Sequence, residues 1–344
     1  MRSILASMLV NMGDVVMMTA ALDLIRQGFP GIRIGALVRP EAAELLAGNP
    51  AADEVVIYPY KSGSPIYGLG GLVRRIKDGR YDCFLSLDRR PRGAGAAFLA
   101  GLKPRIGPEL LFEGSRPEFW TRLLFTRTVP MKPEDCVGSQ VEMFQLAPRR
   151  AFGLEGRGRI SLPPPSAEET EKIAALFEKS GPVIGLGVKT NDPAKTWPRA
   201  GFAALIRRLR SELGAPIYVI GAPADRPYVE SLLELAGADG VLNLAGKTSL
   251  KDLSALAARS DLALLLDNGA AHLMANSGLK RLICLLAGTT PEKIRDSLSQ
   301  ASFIQVSASD DPALIAKEAD LVFQAISDSL SQRINKSPAS GQED

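Results

Sequence analysis

The sequence predicts an α/β protein made of two doubly wound, Rossmann-like domains, and three observations carry that reading. Short apolar runs rich in β-branched residues alternate with segments of helical period, a Gly/Pro-rich stretch interrupts the chain near its middle, and the alternation then restarts. In the first half, strands are predicted over 3–10, 32–38, 54–58 and 83–87, with helices over 15–27 and 41–46 between them. Such βαβ rhythm demands a parallel sheet with right-handed crossovers and helices on both faces.

The stretch 153–166, GLEGRGRISLPPPS, packs three glycines and three prolines into a span where neither helix nor central strand persists. It marks a linker between a domain over 1–155 and a second over 156–330. Beyond it, helices are predicted over 167–179, 199–213, 226–236, 250–259 and 270–277, with strands over 183–187, 217–220, 262–266 and 282–285. Residues 331–344 are polar and without period, a tail predicted to be disordered. Two open α/β sheets in one chain bind ligands at the carboxyl ends of their strands, here expected to face a central cleft.

Composition removes several classes of function. At 344 residues the chain fits two domains of about 150 each. With 46% hydrophobic and 23% charged residues it reads as globular. A net charge of +3 is too small to argue for nucleic acid as a partner. Cys83, Cys136 and Cys284 are far apart and fit neither a disulfide framework nor zinc spacing, so they are expected to be small buried residues in a reducing cytosol. The apolar opening is broken at Asn11 and Gly13-Asp14 before a signal-peptide core is complete, and it is read as the first strand. No run approaches the roughly 18 apolar residues of a membrane span.

Three motifs carry candidate chemistry. Asn11-Met12-Gly13-Asp14 follows the first strand, with Gly13 expected to make a tight turn and Asp14 to sit at the helix N-cap. From position alone Asp14 is either a plain capping residue or a general base at a ligand crevice. Residues 267–272, DNGAAH, close one apolar strand and open a helix, so the amides of Gly269 to Ala271 form a candidate anion cradle. His272 is the sole histidine; a lone histidine is more often structural, but its place beside that cradle favours a functional role. Lys195, in KTWP, is either a solvated loop lysine or a point charge for a phosphate, whereas Trp197 and Pro198 anchor the next helix. Two apparent motifs fail: residues 245–248, AGKT, lack the earlier glycine of a P-loop, and Gly185-Leu186-Gly187 lacks the third glycine of a dinucleotide fingerprint.

Taken together, LNLAGKTSLKDLSALAARSD, LLLDNGAAHLMANSG and LICLLAGTTPEK resemble the signature stretch of glycosyltransferase family 9, the ADP-heptose:lipopolysaccharide heptosyltransferases. The opening ILASMLVNMGDVVMMTAAL, the segment YDCFLSLDRRPRGAGAAFLAGLKPRIG and the loop GVKTNDPAKTWP resemble other parts of that family. The resemblance implies a GT-B fold and an inverting, metal-independent transfer with no cofactor, the co-substrate being a nucleotide sugar such as ADP-heptose. It implies that Asp14 is the catalytic base. It assigns Thr190, Asn191, Lys195, Asp225, Asp267, Asn268, Gly269, Ala270 and His272 to the donor, and Gly13, Arg89, Arg90 and Arg92 to an anionic glycolipid or oligosaccharide acceptor.

Two departures stand out: Met8 occupies a place where the family usually carries a basic residue, and D-N-G replaces D-T-G at Asn268. The expected function is therefore heptose transfer to a lipopolysaccharide-type acceptor. The alternatives are a family member with another donor or acceptor, or a carbohydrate-binding protein without turnover. Basic residues in the first domain, namely Arg74, Arg75, Lys77 and Arg80, then Arg89, Arg90 and Arg92, and finally Lys103 and Arg105, are either ordinary solvated helix and loop charges or, for some of them, an acceptor face that attracts an anionic glycolipid. That face would touch the cytoplasmic side of the inner membrane peripherally.

Overall fold

The computed structural model describes residues 1–59, 67–110, 119–177, 181–288 and 290–331. The chain divides into two compact units, Met1–Pro164 with Glu292–Ser299, and Pro165–Pro291 with Gln300–Asp344. The predicted disordered tail falls, beyond Ser331, outside the described residues.

The first unit runs β1 (Ser3–Met8), α1 (Met12–Gly28), β2 (Arg33–Val38), α2 (Pro40–Leu46), β3 (Glu54–Ile57), α3 (Leu69–Asp78), β4 (Cys83–Ser86), α4 (Pro91–Leu99), β5 (Arg105–Leu110), α5 (Phe119–Leu124), β6 (Arg127–Met131) and α6 (Gln140–Phe152). Its six strands form a parallel sheet in the order β3-β2-β1-β4-β5-β6. β1 lies at the centre, Ser3 opposite Arg33 on one side and Ile4 opposite Cys83 on the other. All six of its residues are buried, as expected of a strand covered by helices on both faces.

The structure moves the first turn. β1 stops at Met8 rather than at residue 10, and α1 begins at Met12 rather than at residue 15. Asn11 is the N-cap, so Gly13 lies inside the helix instead of making a turn. Asp14 occupies the third helical position, where its carboxylate accepts the Asn11 N–H at 3.1 Å. A carboxylate there satisfies an otherwise unpaired amide and sits favourably in the dipole of the first turn.

Strands β5 and β6 were not visible in the sequence pattern, since Pro108 and Pro130 break both runs. The Gly/Pro-rich stretch after α6 has neither helix nor strand until α7, but it is laid down on the first unit. Gly158 N–H donates to Gln145 Oε1 at 2.7 Å, Arg159 N–H to Asp23 at 2.8 Å and Ser161 N–H to Thr19 Oγ1 at 3.1 Å. A Cβ at Gly158 would lie 1.9 Å from the Ala20 carbonyl oxygen, so only glycine permits this approach to α1.

The second unit runs α7 (Ala167–Ala174), β7 (Ile184–Gly187), α8 (Arg199–Leu213), β8 (Ile217–Ile220), α9 (Arg226–Ala236), β9 (Leu242–Asn243), α10 (Leu250–Arg259), β10 (Leu262–Leu266), α11 (Gly269–Ala275), β11 (Leu282–Ala287), β12 (Ala301–Val306) and α12 (Pro312–Ser331). Its parallel sheet has the order β12-β11-β10-β7-β8-β9. Ser166 and Ser249 cap α7 and α10, each hydroxyl accepting the amide three residues on. The core joins Leu186, Phe202, Ile206, Leu264 and Phe323 across the sheet and its covering helices. Gly246 has φ +71° and lies against Pro223, a tight turn that accounts for the glycine of the AGKT sequence without any phosphate.

Candidate active site

Each sheet reverses its direction of growth once. In the first unit the chain proceeds from β1 to β2 and β3, then returns to place β4 on the other side of β1. In the second it proceeds from β7 to β8 and β9, then returns with β10 beside β7. Turns leaving two such neighbours diverge, which opens a crevice at their carboxyl ends. The candidate residues collect at these two places.

At the β1/β4 reversal, Asp14 projects from the first turn of α1, while Arg89 and Arg90 follow β4 and Arg92 lies in the first turn of α4. All three arginines are exposed. Asp88, which the sequence reading passed over, is buried between the two turns; its carboxylate accepts the Leu9 N–H at 2.6 Å and the Arg90 N–H at 2.7 Å. Met8, at the end of β1, is fully buried and belongs to the core rather than to a ligand-facing surface.

The single basic acceptor face does not survive. Crossover helices run antiparallel to their strands, so the last turns of α3 lie at the amino edge of the sheet, away from Asp14. There Arg75 approaches Glu54 at the start of β3, and Arg33 at the start of β2 donates to the Gly79 carbonyl. Arg74, Arg75, Lys77 and Arg80 therefore share the opposite edge from Arg89, Arg90 and Arg92. Lys103 precedes β5 on that same amino edge, and Arg105 is 4% exposed, donating to the Leu102 and Leu124 carbonyls as a structural cation.

At the β10/β7 reversal, Asn268 caps α11 through the Ala271 N–H at 3.2 Å, while its amide donates to the Lys189 carbonyl at 3.2 Å. One side chain thus ties together the turns after β10 and β7. Lys195, closing a short 3-10 turn at Pro193–Lys195, is partly exposed, and its Nζ lies 3.2 Å from Asp267 Oδ2. Asp267 Oδ1 lies 3.8 Å from His272 Nε2. His272 is 4% exposed, and burial outweighs the attraction of Asp267 to bring its pKa down to about 4. At neutral pH it is therefore an uncharged imidazole, which offers hydrogen bonds and not positive charge.

The neighbouring turns complete this group. Thr190 is buried and donates its hydroxyl to the Asp192 carbonyl at 2.7 Å, whereas Asn191 is exposed. Gly269 and Ala270 are half-buried in the first turn of α11. Asp225 accepts the Ala222 N–H at 2.9 Å and pairs with Lys189 at 2.9 Å. Lys189 and Arg199 lie 5.6 and 4.8 Å from the ring centre of Tyr228, a cationic strip that the sequence reading did not single out. Its signal was present, since Lys189 stands two residues after the end of β7, much as Asp267 directly follows β10. Trp197 anchors the loop as expected: it is fully buried, edge-on to Phe202, and donates to Glu318 of α12 at 2.7 Å.

Cys83 and Cys284 are buried, the thiol of each pushed up by burial, but Cys136 is only partly buried, contrary to expectation. Among the described residues no group of three His, Cys, Asp or Glu side chains could hold a metal ion, and no helix is long and apolar enough to cross a membrane.

Two parallel six-stranded sheets, each with polar and charged side chains gathered where its strand order reverses, define an α/β protein of the GT-B type. The chain belongs to glycosyltransferase family 9 (heptosyltransferase), whose model matches residues 70–320, and it is accordingly a glycosyltransferase. Among solved structures, a family 9 glycosyl transferase from Veillonella parvula is similar with a TM-score of 0.79 at 19% identity, over 96% of this chain and 97% of that one. The ADP-heptose lps heptosyltransferase II of E. coli is similar with a TM-score of 0.77 at 20% identity, over 97% and 99%. E. coli heptosyltransferase WaaC, solved with ADP, is similar with a TM-score of 0.72 at 20% identity, over 95% and 99%. No curated protein sequence matches the chain significantly.

Proposed function

We propose that the protein transfers a heptose or a related sugar from an ADP-sugar to a hydroxyl of a lipopolysaccharide-type acceptor, with inversion and without a metal ion or other cofactor. The observation that carries this reading is the meeting of Lys195, Asp267, Asn268 and His272 at one strand reversal in a chain of this family. The similarity to a heptosyltransferase solved with ADP supports adenine as the base of the donor.

In this mechanism the acceptor hydroxyl gives its proton to the Asp14 carboxylate as its oxygen attacks the anomeric carbon from the face opposite the diphosphate. The bond between that carbon and the phosphate oxygen breaks, and negative charge collects on the departing ADP. Lys195 and the amides of Gly269 and Ala270 stabilise that charge, and Asp267 keeps Lys195 oriented before the donor arrives. Thr190, Asn191 and neutral His272 supply hydrogen bonds, and Asp225 faces the nucleoside. Arg89, Arg90 and Arg92, together with the Gly13 backbone, meet the anionic groups of the acceptor, which lies at the cytoplasmic face of the membrane.

The test is incubation of the full chain with a panel of sugar nucleotides and a deacylated lipopolysaccharide core. Release of ADP from ADP-heptose alone, a product of inverted anomeric configuration by NMR, and undiminished turnover in EDTA are the expected results. Preference for another sugar nucleotide would sink the donor assignment, and retention of configuration or loss of turnover on chelation would sink the mechanism.

A further inference from the structure

The reaction as read above uses one carboxylate at the β1/β4 reversal and leaves a second without a role. Asp88 is 5% exposed, a cost for a carboxyl group unless every oxygen is engaged. Both oxygens are engaged. Oδ2 accepts the Leu9 N–H from the β1–α1 turn, and Oδ1 accepts the Arg90 N–H from the β4–α4 turn. Its own carbonyl accepts the Ser86 hydroxyl at 2.9 Å. Two facing donors require two acceptors, which a carboxylate provides and an asparagine, with one acceptor and one donor nitrogen, does not.

The Leu9 end of this clamp leads directly to Asp14. Two residues after Leu9, the Asn11 N–H donates to the Asp14 carboxylate. The Arg90 end holds the turn that carries Arg89, Arg90 and Arg92. The charged groups facing Asp88 are Arg90 on its own turn and Asp14 on α1. Burial pushes the Asp88 carboxyl up and the Asp14 charge adds to that, while the Leu9 and Arg90 amides and the Arg90 charge oppose it.

We propose that Asp88 is a positioning residue for the transfer, clamping the β1–α1 and β4–α4 turns so that the Asp14 base and the arginines at 89, 90 and 92 keep a fixed relation to the acceptor. The inference rests on Asp14 being the base. A displacement of about 1 Å in a reacting group lowers turnover by about 10²-fold. An ionised Asp88 also places a negative charge near the base, and that interaction is mutual.

The experiment compares the full chain with Asp88→Asn and Asp88→Ala, with Asp14→Asn as the control. For Asp88→Asn we expect kcat to fall by between about tenfold and about 10²-fold. The dissociation constant for ADP should stay within about twofold, and the acid limb of the kcat profile should move to lower pH because the neighbouring negative charge is gone. A folded Asp88→Asn variant with unchanged kcat overturns the proposal. So does a fall in kcat with an unmoved acid limb and a parallel loss of ADP binding, which marks general structural damage. If neither variant folds, hydrogen exchange in the native chain decides: slow exchange of both the Leu9 and Arg90 amides is required, and fast exchange of either removes the clamp. Full turnover in Asp14→Asn would instead sink the reading of Asp14, with the two amides still protected.

Discussion

The two strand reversals are built on one plan with opposite electrostatics. Each has a polar side chain that ties two diverging turns together: Asp88 joins the turns at Leu9 and Arg90, and Asn268 joins its own turn to Lys189. At the first the tie is a buried carboxylate beside another carboxylate, with exposed arginines around it. At the second the tie is a neutral amide, and the charges form two lysine–aspartate pairs, Lys195 with Asp267 and Lys189 with Asp225. The difference suits the work assigned to each. A proton acceptor gains from a nearby negative charge, whereas a diphosphate needs cations whose charge is already oriented before it arrives.

The largest expected effect separates the reversals by function. Asp14→Asn should lower turnover by roughly 10² to 10⁴ while leaving ADP affinity unchanged, because the proposed proton acceptor and the proposed nucleotide site belong to different sheets. Steady-state kinetics with calorimetry checks both halves. Turnover within about threefold of the parent, or a weakened ADP complex, would erase the division of labour.

Next come the two lysines of the second reversal. Lys195→Ala should weaken ADP binding by about 1 to 3 kcal/mol, the range of a charge-assisted contact, and Lys189→Ala by less, since its partner Asp225 is proposed to meet the nucleoside rather than the diphosphate. If the pairs act separately, the double variant should equal the sum within about 0.5 kcal/mol. Equal binding of ADP by parent and both variants would mean that the cations serve the fold alone.

A smaller effect concerns pH. The folded pKa of His272 lies near 4, below that of the unfolded chain, so the unfolded state binds the extra proton first as pH falls. This group's contribution is complete above about pH 6.5 and is lost progressively toward pH 4. Asp88 has the opposite sign, because its raised pKa favours the folded state at low pH and that share disappears as pH rises through the folded value. Denaturant melts between pH 4 and 7 should show a flatter acid side for His272→Gln than for the parent. An identical slope would remove His272 from the balance.

The smallest effect divides the two edges of the first sheet. Removing Arg89, Arg90 or Arg92 should cost about 1 kcal/mol each in salt-sensitive binding to anionic vesicles, while removing Arg74, Arg75 or Lys77 from the amino edge should cost less. Co-sedimentation at low and high salt measures this. Equal losses from both edges would restore one continuous basic face.

Much of the molecule was legible in the residues alone. Fully buried strands such as ILAS in β1 and LALLL in β10 announce themselves by composition, because a strand covered on both faces admits almost nothing polar. The DNGAAH turn and the KTWP loop were also readable, since they stand where strands end and helices begin. What the sequence hid lay in pairings distant along the chain. Asp88 and Leu9 are 79 residues apart, Lys195 and Asp267 are 72 apart, and strand order alone brings them together. The basic cluster failed for the same reason: neighbours in sequence were sent to opposite edges of one sheet by helices that run against their strands. Composition and period decide which segments bury themselves, because burial is a local property of side chains. Which charges meet is decided by the order of parallel strands, a property of the whole sheet.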